Sequence, residues 1–217
     1  MKKHAAILLM AGSGTRLGGP CPKQFLELMG KPLYIHSLER FCKCGFDQIC
    51  LVCPKDHIKK ISTDYDIVQG GKTRQESVLM GLNALRSNIE IVTIHDSARA
   101  LASTKLIEEH KQKGQIYTAI STELPVNDTL YEVDNTSISA VLDRNTVRIG
   151  QTPQTFNRKL LEKAHQEFIG QATDDAMMVH ALGEKVELIK GEANNFKITY
   201  AKDLELARII LAQTNAS

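Results

Sequence analysis

Little in this sequence is in excess. Twenty-seven Lys and Arg face 25 Asp and Glu, a formal charge of +2, too small for the global field of a nucleic-acid or membrane-surface protein. Any cationic site must be local. No apolar run approaches the ~18 residues of a membrane span, and the start of the chain lacks the apolar segment and small-residue cleavage site of a secretory signal. A soluble, cytoplasmic protein is expected, with neither nucleic acid nor membrane as partner. Repeats, low-complexity tracts and linkers are missing too, so the 217 residues read as one domain, 1–217, at ~100–200 residues per domain. A chain of this length, 42% apolar and 24% charged, buries roughly 70% of the surface its unfolded form exposes.

Cysteine is sparse and one-sided: Cys21, Cys42, Cys44, Cys50 and Cys53 all fall in the first quarter. Cys50-Leu-Val-Cys53 has the spacing of a metal or redox pair, but it lies in the apolar run Gln48 to Cys53, which reads as a buried strand. Positions 50 and 53 of a strand point to opposite faces and do not close on one zinc. Reduced cysteines serving as small core residues are expected.

What is there is an alternation of strand and helix patterns. Strands are predicted at Ala5–Met10, Ile49–Cys53, Ile67–Val68, Glu90–Ile94 and Tyr117–Ser121, with helices at Leu33–Cys44, Ser77–Leu85 and Thr104–Lys113 between them. That rhythm implies an α/β fold, a doubly wound, mostly parallel sheet covered on both faces. After Pro125 the pattern changes: Asp128–Val133, the turn-forming Asp134-Asn135, and Ser137–Leu142 form a β-hairpin signature. This hairpin, about 126–146, reads as an inserted arm whose apolar positions suit packing on another subunit. The chain returns through helices at Lys159–Phe168 and Asp174–Leu182, a strand at Val186–Ile189 and a helix at Lys202–Ala212.

The strongest local signal follows the first strand: Met10-Ala11-Gly12-Ser13-Gly14-Thr15-Arg16-Leu17-Gly18-Gly19-Pro20-Cys21-Pro22-Lys23-Gln24. Such a glycine-rich loop lies at the carboxyl edge of a sheet, where backbone N–H groups cradle phosphates. It is no dinucleotide fingerprint, since Leu17 stands where the third glycine belongs, and no Walker loop, since Gly19 is followed by Pro20-Cys21. Gly71-Lys72-Thr73 imitates a Walker ending, but Asp66 stands where its first glycine is needed. What remains is a loop with two cations, Arg16 and Lys23, and no base. Two cations beside a nest of backbone donors suit attack on the α-phosphorus of a triphosphate by an already ionised phosphate oxygen, which needs no general base. A structural glycine turn with two solvated cations fits the loop alone as well.

Ala11-Gly-x-Gly-x-Arg16 with Pro22-Lys23-Gln24-Phe25 heads an ordered series: Gly70-Gly71-x-x-Arg74-x-x-Ser77-Val78, His95-Asp96-x-Ala98-Arg99, Pro125-Val126-x-Asp128-Thr129, Asp143-Arg144, Gln151-Thr152-Pro153-Gln154-Thr155-Phe156, Thr173-Asp174-Asp175-Ala176 and Asn195-x-Lys197-Ile198-Thr199. The series resembles the sugar-phosphate cytidylyltransferases, most closely the 2-C-methyl-D-erythritol 4-phosphate cytidylyltransferase family, over nearly the whole chain. The resemblance implies a Rossmann-like nucleotidyltransferase using CTP, a polyol phosphate and Mg²⁺. It assigns catalysis to Arg16, Lys23, Arg144 and Lys197. The nucleotide falls to Met10, Ala11, Gly12, Ser13, Gly14, Gly71, Arg74, Ser77 and Asp96, with Asp96 also holding the metal, and the acceptor to Arg99, Thr129, Arg144, Thr152 and Lys197. In the family, the residues matching Thr129 and Arg144 come from the hairpin arm of the neighbouring subunit, implying a homodimer with a shared site.

Taken alone, these residues leave other readings open. Asp96 suits a local cap of residues 97–99, the isolated Arg and Lys side chains suit a solvated surface, and His95 reads as structural. Ser97, Ala100, Lys72, Asn194 and His180 depart from the family pattern; Asn194 in place of aspartate would offer a metal a carbonyl oxygen without charge. Ribitol-5-phosphate cytidylyltransferases share much of the series: Pro125–Thr129 and Asp143-Arg144 favour the erythritol enzyme, while Pro22–Glu27 and Ser97 lean towards the ribitol one. A non-catalytic nucleotide-binding protein is the reading of another class, and the presence of both Arg16 and Lys23 argues against it.

Overall fold

A strand that is apolar at every position must be covered on both faces, and β1 (His4–Leu9) is buried along its whole length. The computed structural model describes residues 1–10 and 22–215; the loop residues Ala11, Gly12, Ser13, Gly14, Arg16 and Cys21 lie outside them. Beyond the loop, β2 (Glu27–Leu28) and β3 (Lys31–Pro32) form a small ribbon leading into α1 (Leu33–Lys43), β4 (Gln48–Cys53), β5 (Asp66–Gln69), α2 (Arg74–Asn83), β6 (Ile91–Asp96) and α3 (Thr104–Lys113). The second half runs through β7 (Ala119–Pro125), β8 (Leu130–Asp134), β9 (Ser137–Leu142), β10 (Arg148–Asn157), α4 (Arg158–Glu167), α5 (Asp175–Ala181), β11 (Glu187–Lys190) and α6 (Ala201–Asn215).

Seven strands make the central sheet in the order β11-β7-β10-β6-β1-β4-β5. β1 lies parallel between β4 and β6, β5 continues parallel beyond β4, and β11 pairs parallel with β7. Alternate residues feed opposite cores. Ile7, Leu9, Cys50 and Val52 pack with Val78, Leu82, Leu161 and Met178 on one face, while Leu8, Met10, Leu51 and Cys53 pack with Leu38, Phe41 and Ile107 on the other. The sheet is thus doubly wound, as expected. Gly81 lets α2 lie close, because a Cβ there would fall 2.8 Å from Ile7 Cγ2. Cys50 and Cys53 do face opposite ways, and burial pushes their thiols up to about 12 and about 11.

β10 is the strand that periodicity does not reveal. Its Gln151, Thr152, Gln154 and Thr155 are buried, and it runs antiparallel between β6 and β7, bulging between Gln151 and Gln154 around Pro153, which has no N–H for a ladder. A polar strand survives there because its side chains find partners. Thr155 Oγ1 lies 2.8 Å from Thr93 Oγ1 and 3.0 Å from His110 Nδ1, and His110 Nε2 lies 2.8 Å from Thr122 Oγ1, which donates to Pro153 O at 2.7 Å. Counting protons orders these bonds. Burial pushes His110 down to about 3, so the ring is neutral. Thr122 uses its one proton on Pro153, so His110 Nε2–H donates to Thr122 and Nδ1 accepts from Thr155.

β8 and β9 pair with each other and, among the described residues, with no other strand. Asn135 turns the hairpin in the left-handed region at φ 53°. Tyr131, Val133, Ile138, Val141 and Leu142 remain exposed on it.

Candidate active site

The carboxyl ends of β1, β4 and β6 lie side by side because the strands are parallel neighbours, and this edge is where an open α/β sheet binds ligands. Asp96 closes β6 and is 8% exposed. Its Oδ1 accepts from Arg74 Nε at 3.2 Å and its Oδ2 from Lys197 Nζ at 2.6 Å. Burial opposes the charge, but Arg74 first and then Lys197 hold the carboxyl far below the ordinary carboxylate range. The carboxylate therefore bridges two cations instead of capping the residues after it; that turn closes through backbone, Arg99 N–H to Asp96 O.

Arg74 opens α2. Thr73 caps the helix by accepting Glu76 N–H at 3.0 Å, and Glu76 Oε2 accepts Lys72 N–H at 2.6 Å. Gly71 is required by this fold-back, since a Cβ would fall 2.2 Å from Glu76 Cβ. Ser77 Oγ accepts Gly71 N–H and donates to Thr73 O, so Ser77, 1% exposed, shapes the Gly71 turn from beneath.

Strand β10 and the segment before α6 complete the group. Thr152 Oγ1 accepts Asp96 N–H at 3.0 Å and meets His95 Nδ1 at 3.1 Å. Buried Asn195 donates Nδ2–H to Thr152 O at 2.8 Å and gives its own backbone carbonyl to Arg99 Nη1 at 2.9 Å. That tie places Lys197 over Asp96 and Ile198 O within 2.9 Å of Lys23 Nζ, on a lysine 7% exposed. Lys23, Arg74, Asp96, Arg99, Thr152 and Lys197 thus form one connected group, with Gly71 and Ser77 at its flank. Met10 is buried at the end of β1, its N–H on Val52 O. Thr129 and Arg144 lie on the exposed hairpin, where Arg144 Nη1 donates to Asn127 O at 2.6 Å. Among the described residues no three His, Cys, Asp or Glu side chains converge as a metal cage; Asp96 is the ionised carboxylate at this edge, and Asn194, next to Asn195 in sequence, is exposed.

The model of the 2-C-methyl-D-erythritol 4-phosphate cytidylyltransferase family (IspD) matches residues 4–213. The chain belongs to this family. The cytidylyltransferase of Aquifex aeolicus (strain VF5) is 39% identical over 96% of this chain and 97% of its own length. That of Clostridium perfringens (strain 13 / Type A) is 37% identical over 95% and 98%. Among solved structures, 4-diphosphocytidyl-2C-methyl-D-erythritol synthase from Anaerococcus prevotii DSM 20548 matches with a TM-score of 0.85 at 30% identity, covering 97% of this chain and 99% of that one. The 2-C-methyl-D-erythritol 4-phosphate cytidylyltransferase from Thermus thermophilus gives 0.81 at 32% identity, covering 95% and 98%.

In this cytidylyltransferase, residues without a role in the sequence reading hold the site together. Asp175 accepts Arg74 Nη1 at 2.7 Å. Gln154 donates to Asp174 Oδ2 at 2.8 Å and accepts the N–H groups of Asp175 and Ala176, fastening the start of α5 to β10. The motifs Gln151–Phe156 and Thr173–Ala176 carry these residues, but a pairing across 101 positions leaves no local pattern.

Proposed function

We propose that this cytidylyltransferase transfers the cytidylyl group of CTP to 2-C-methyl-D-erythritol 4-phosphate, giving 4-diphosphocytidyl-2-C-methyl-D-erythritol and pyrophosphate. The observation that carries this is the bridged cluster Arg74–Asp96–Lys197 at the carboxyl edge, joined to Lys23 through Ile198 O. An acceptor phosphate oxygen attacks the α-phosphorus of CTP; the new P–O bond forms as the bond to the β-phosphate oxygen breaks. The nucleophile is already ionised, so catalysis is alignment plus stabilisation of charge on the α-phosphoryl oxygens. Arg16 and Lys23 supply that stabilisation. The backbone from Met10 to Gly14 cradles the phosphates, Gly71 presents its turn to the cytosine edge, and Arg74 with Ser77 keeps that turn beside Asp96.

Arg99 and Lys197 bind the acceptor phosphate; Thr152 sets the end of β6 on which they rely. Thr129 and Arg144 complete the acceptor site of a neighbouring subunit in a homodimer, a reading supported by the exposed apolar hairpin that carries them. Mg²⁺ fits the donor set as an ion shared with the triphosphate, because a hard cation takes oxygen ligands and one carboxylate with substrate phosphates would suffice to hold it. Asp96 would hold it, and bound there it would neutralise phosphate charge. The free, buried thiols of Cys44, Cys50 and Cys53 suit a reducing cytoplasm.

The test is pyrophosphate release with CTP and Mg²⁺, offering 2-C-methyl-D-erythritol 4-phosphate or D-ribitol 5-phosphate as acceptor. Release with the erythritol phosphate alone is expected. Release with ribitol phosphate alone reassigns the acceptor, and silence with both in folded, CTP-binding protein overturns the catalytic reading.

A further inference from the structure

Asp175 is, among the described residues, the acidic side chain with no exposed surface. A carboxylate in that position is tolerated only with close partners, and it has two: Arg74 Nη1 lies 2.7 Å from Oδ2, and His165 Nε2 lies 3.2 Å from Oδ1. His165 comes from α4, Asp175 from the first turn of α5, Arg74 from the first turn of α2 and Asp96 from the end of β6. Three helices thus meet at the Arg74–Asp175 pair, whose guanidinium turns its Nε to Asp96 at 3.2 Å while its Nη2 is buried with no hydrogen-bond partner. Among the described residues the side chain of Asp175 bonds Arg74 and His165 and its N–H bonds Gln154, so it reaches Asp96 through Arg74.

We infer that Asp175 is a positioning residue for cytidylyl transfer: by holding Arg74 from behind it keeps Asp96 shared between Arg74 and Lys197 rather than captured by Arg74. The inference rests on the proposed role of Asp96. Its physical basis is competition for one cation. A guanidinium with a carboxylate on each side divides its charge and its donors between them. With the rear carboxylate neutral, the same guanidinium is free to close on Asp96 in the two-pronged geometry that arginine and carboxylate prefer. That would take Oδ2 from Lys197, leaving the acceptor-binding cation without its anchor. Asn at position 175 keeps the size of the side chain and an acceptor for Arg74, so it removes the charge with little change of shape.

The experiment compares Asp175→Asn, Asp96→Asn and the double variant by steady-state kinetics with CTP and 2-C-methyl-D-erythritol 4-phosphate, with CTP affinity read by calorimetry. Asp175→Asn is expected to lower kcat about 10–100-fold, the range for an outer partner of a functional side chain, while CTP affinity stays within about threefold. The double variant should be no slower than Asp96→Asn alone, because the two substitutions act on one interaction. A merely structural Asp175 would lower the melting temperature, leave kcat of the folded enzyme unchanged and multiply with Asp96→Asn; that result overturns the inference. Should Asp175→Asn fail to fold, Arg74→Lys replaces it, since a lysine point charge does not span both carboxylates; an unchanged kcat there is equally fatal. Full activity of folded Asp96→Asn would instead sink the reading of Asp96 and this inference with it.

Discussion

Two halves of one sheet are held by different physics. β1, β4 and β6 carry strings of buried Ile, Leu and Val, and their order follows from covering apolar surface on both faces. β10 and its neighbour β7 bury Gln151, Thr152, Gln154, Thr155, Ser121 and Thr122, and their order follows from pairing polar atoms. Apolar contacts are tolerant of detail, whereas a buried hydrogen bond is directional and its loss leaves a partner unsatisfied. The group around Asp96 sits at the seam. β6 supplies Asp96, the polar half supplies Thr152 to hold its N–H, and Asn195 fixes Lys197 through Thr152 O. Precision at the site thus comes from the polar half and support from the apolar one.

The largest effect that separates the halves is expected at Leu51, fully buried on β4. Leu51→Ala should cost about 2–5 kcal/mol of folding stability in denaturant unfolding while the folded enzyme keeps its kcat; a fall in kcat of the same order would erase the distinction. Lys197→Ala should do the converse. Its side chain is 40% exposed, so the melting temperature should barely move, and turnover should fall roughly 100-fold, about 2.7 kcal/mol of barrier. Wild-type turnover in that variant would remove Lys197 from the chemistry.

Thr155→Val tests whether the polar half depends on direction. It keeps the volume but leaves His110 Nδ1 without its donor, for an expected loss of about 1–3 kcal/mol; a neutral result would mean that packing alone holds β10. A smaller effect is expected at the hairpin, where Ile138 is 57% exposed. Ile138→Asp should change the stability of the chain by no more than about 0.5 kcal/mol yet abolish the proposed dimer in sedimentation. A dimer that persists would place the interface elsewhere.

The smallest predicted effect is none at all. Burial opposes ionisation of Asp96 and Asp175, but Arg74 first, together with Lys197 and His165, holds their carboxyls below the ordinary range. The stability they confer is therefore complete above the unfolded-state value near ~3.9 and is lost only as pH falls through the lower folded values. Melting curves should show no contribution from either group between about pH 8 and pH 5. A loss in that interval that disappears in Asp175→Asn would show that its carboxyl titrates higher.

Much of the apolar half was legible in the sequence. The runs at residues 5–10 and 49–53 became β1 and β4 within a residue or two, and the helix predicted at Thr104–Lys113 has those ends. Asp134-Asn135 marked the hairpin turn, where the left-handed residue is Asn135. Strand β10 was illegible because its polar residues follow neither period of two nor a continuous apolar run. Its motif was conspicuous, but nothing in Gln-Thr-Pro-Gln-Thr-Phe says that it lies between β6 and β7.

By itself, then, the sequence determined the doubly wound class, the inserted hairpin and, through its ordered motifs, the family. These are written in spacing along the chain, which local geometry converts directly into strands, helices and turns. Only the tertiary structure decided that Arg74 stands between Asp96 and Asp175, that Thr152 serves Asp96 N–H, and that Asn195 ties Lys197 into place. Those choices belong to groups far apart in sequence. They are settled where burial strips water from each polar atom and leaves it only the partners that the folded sheet brings within reach.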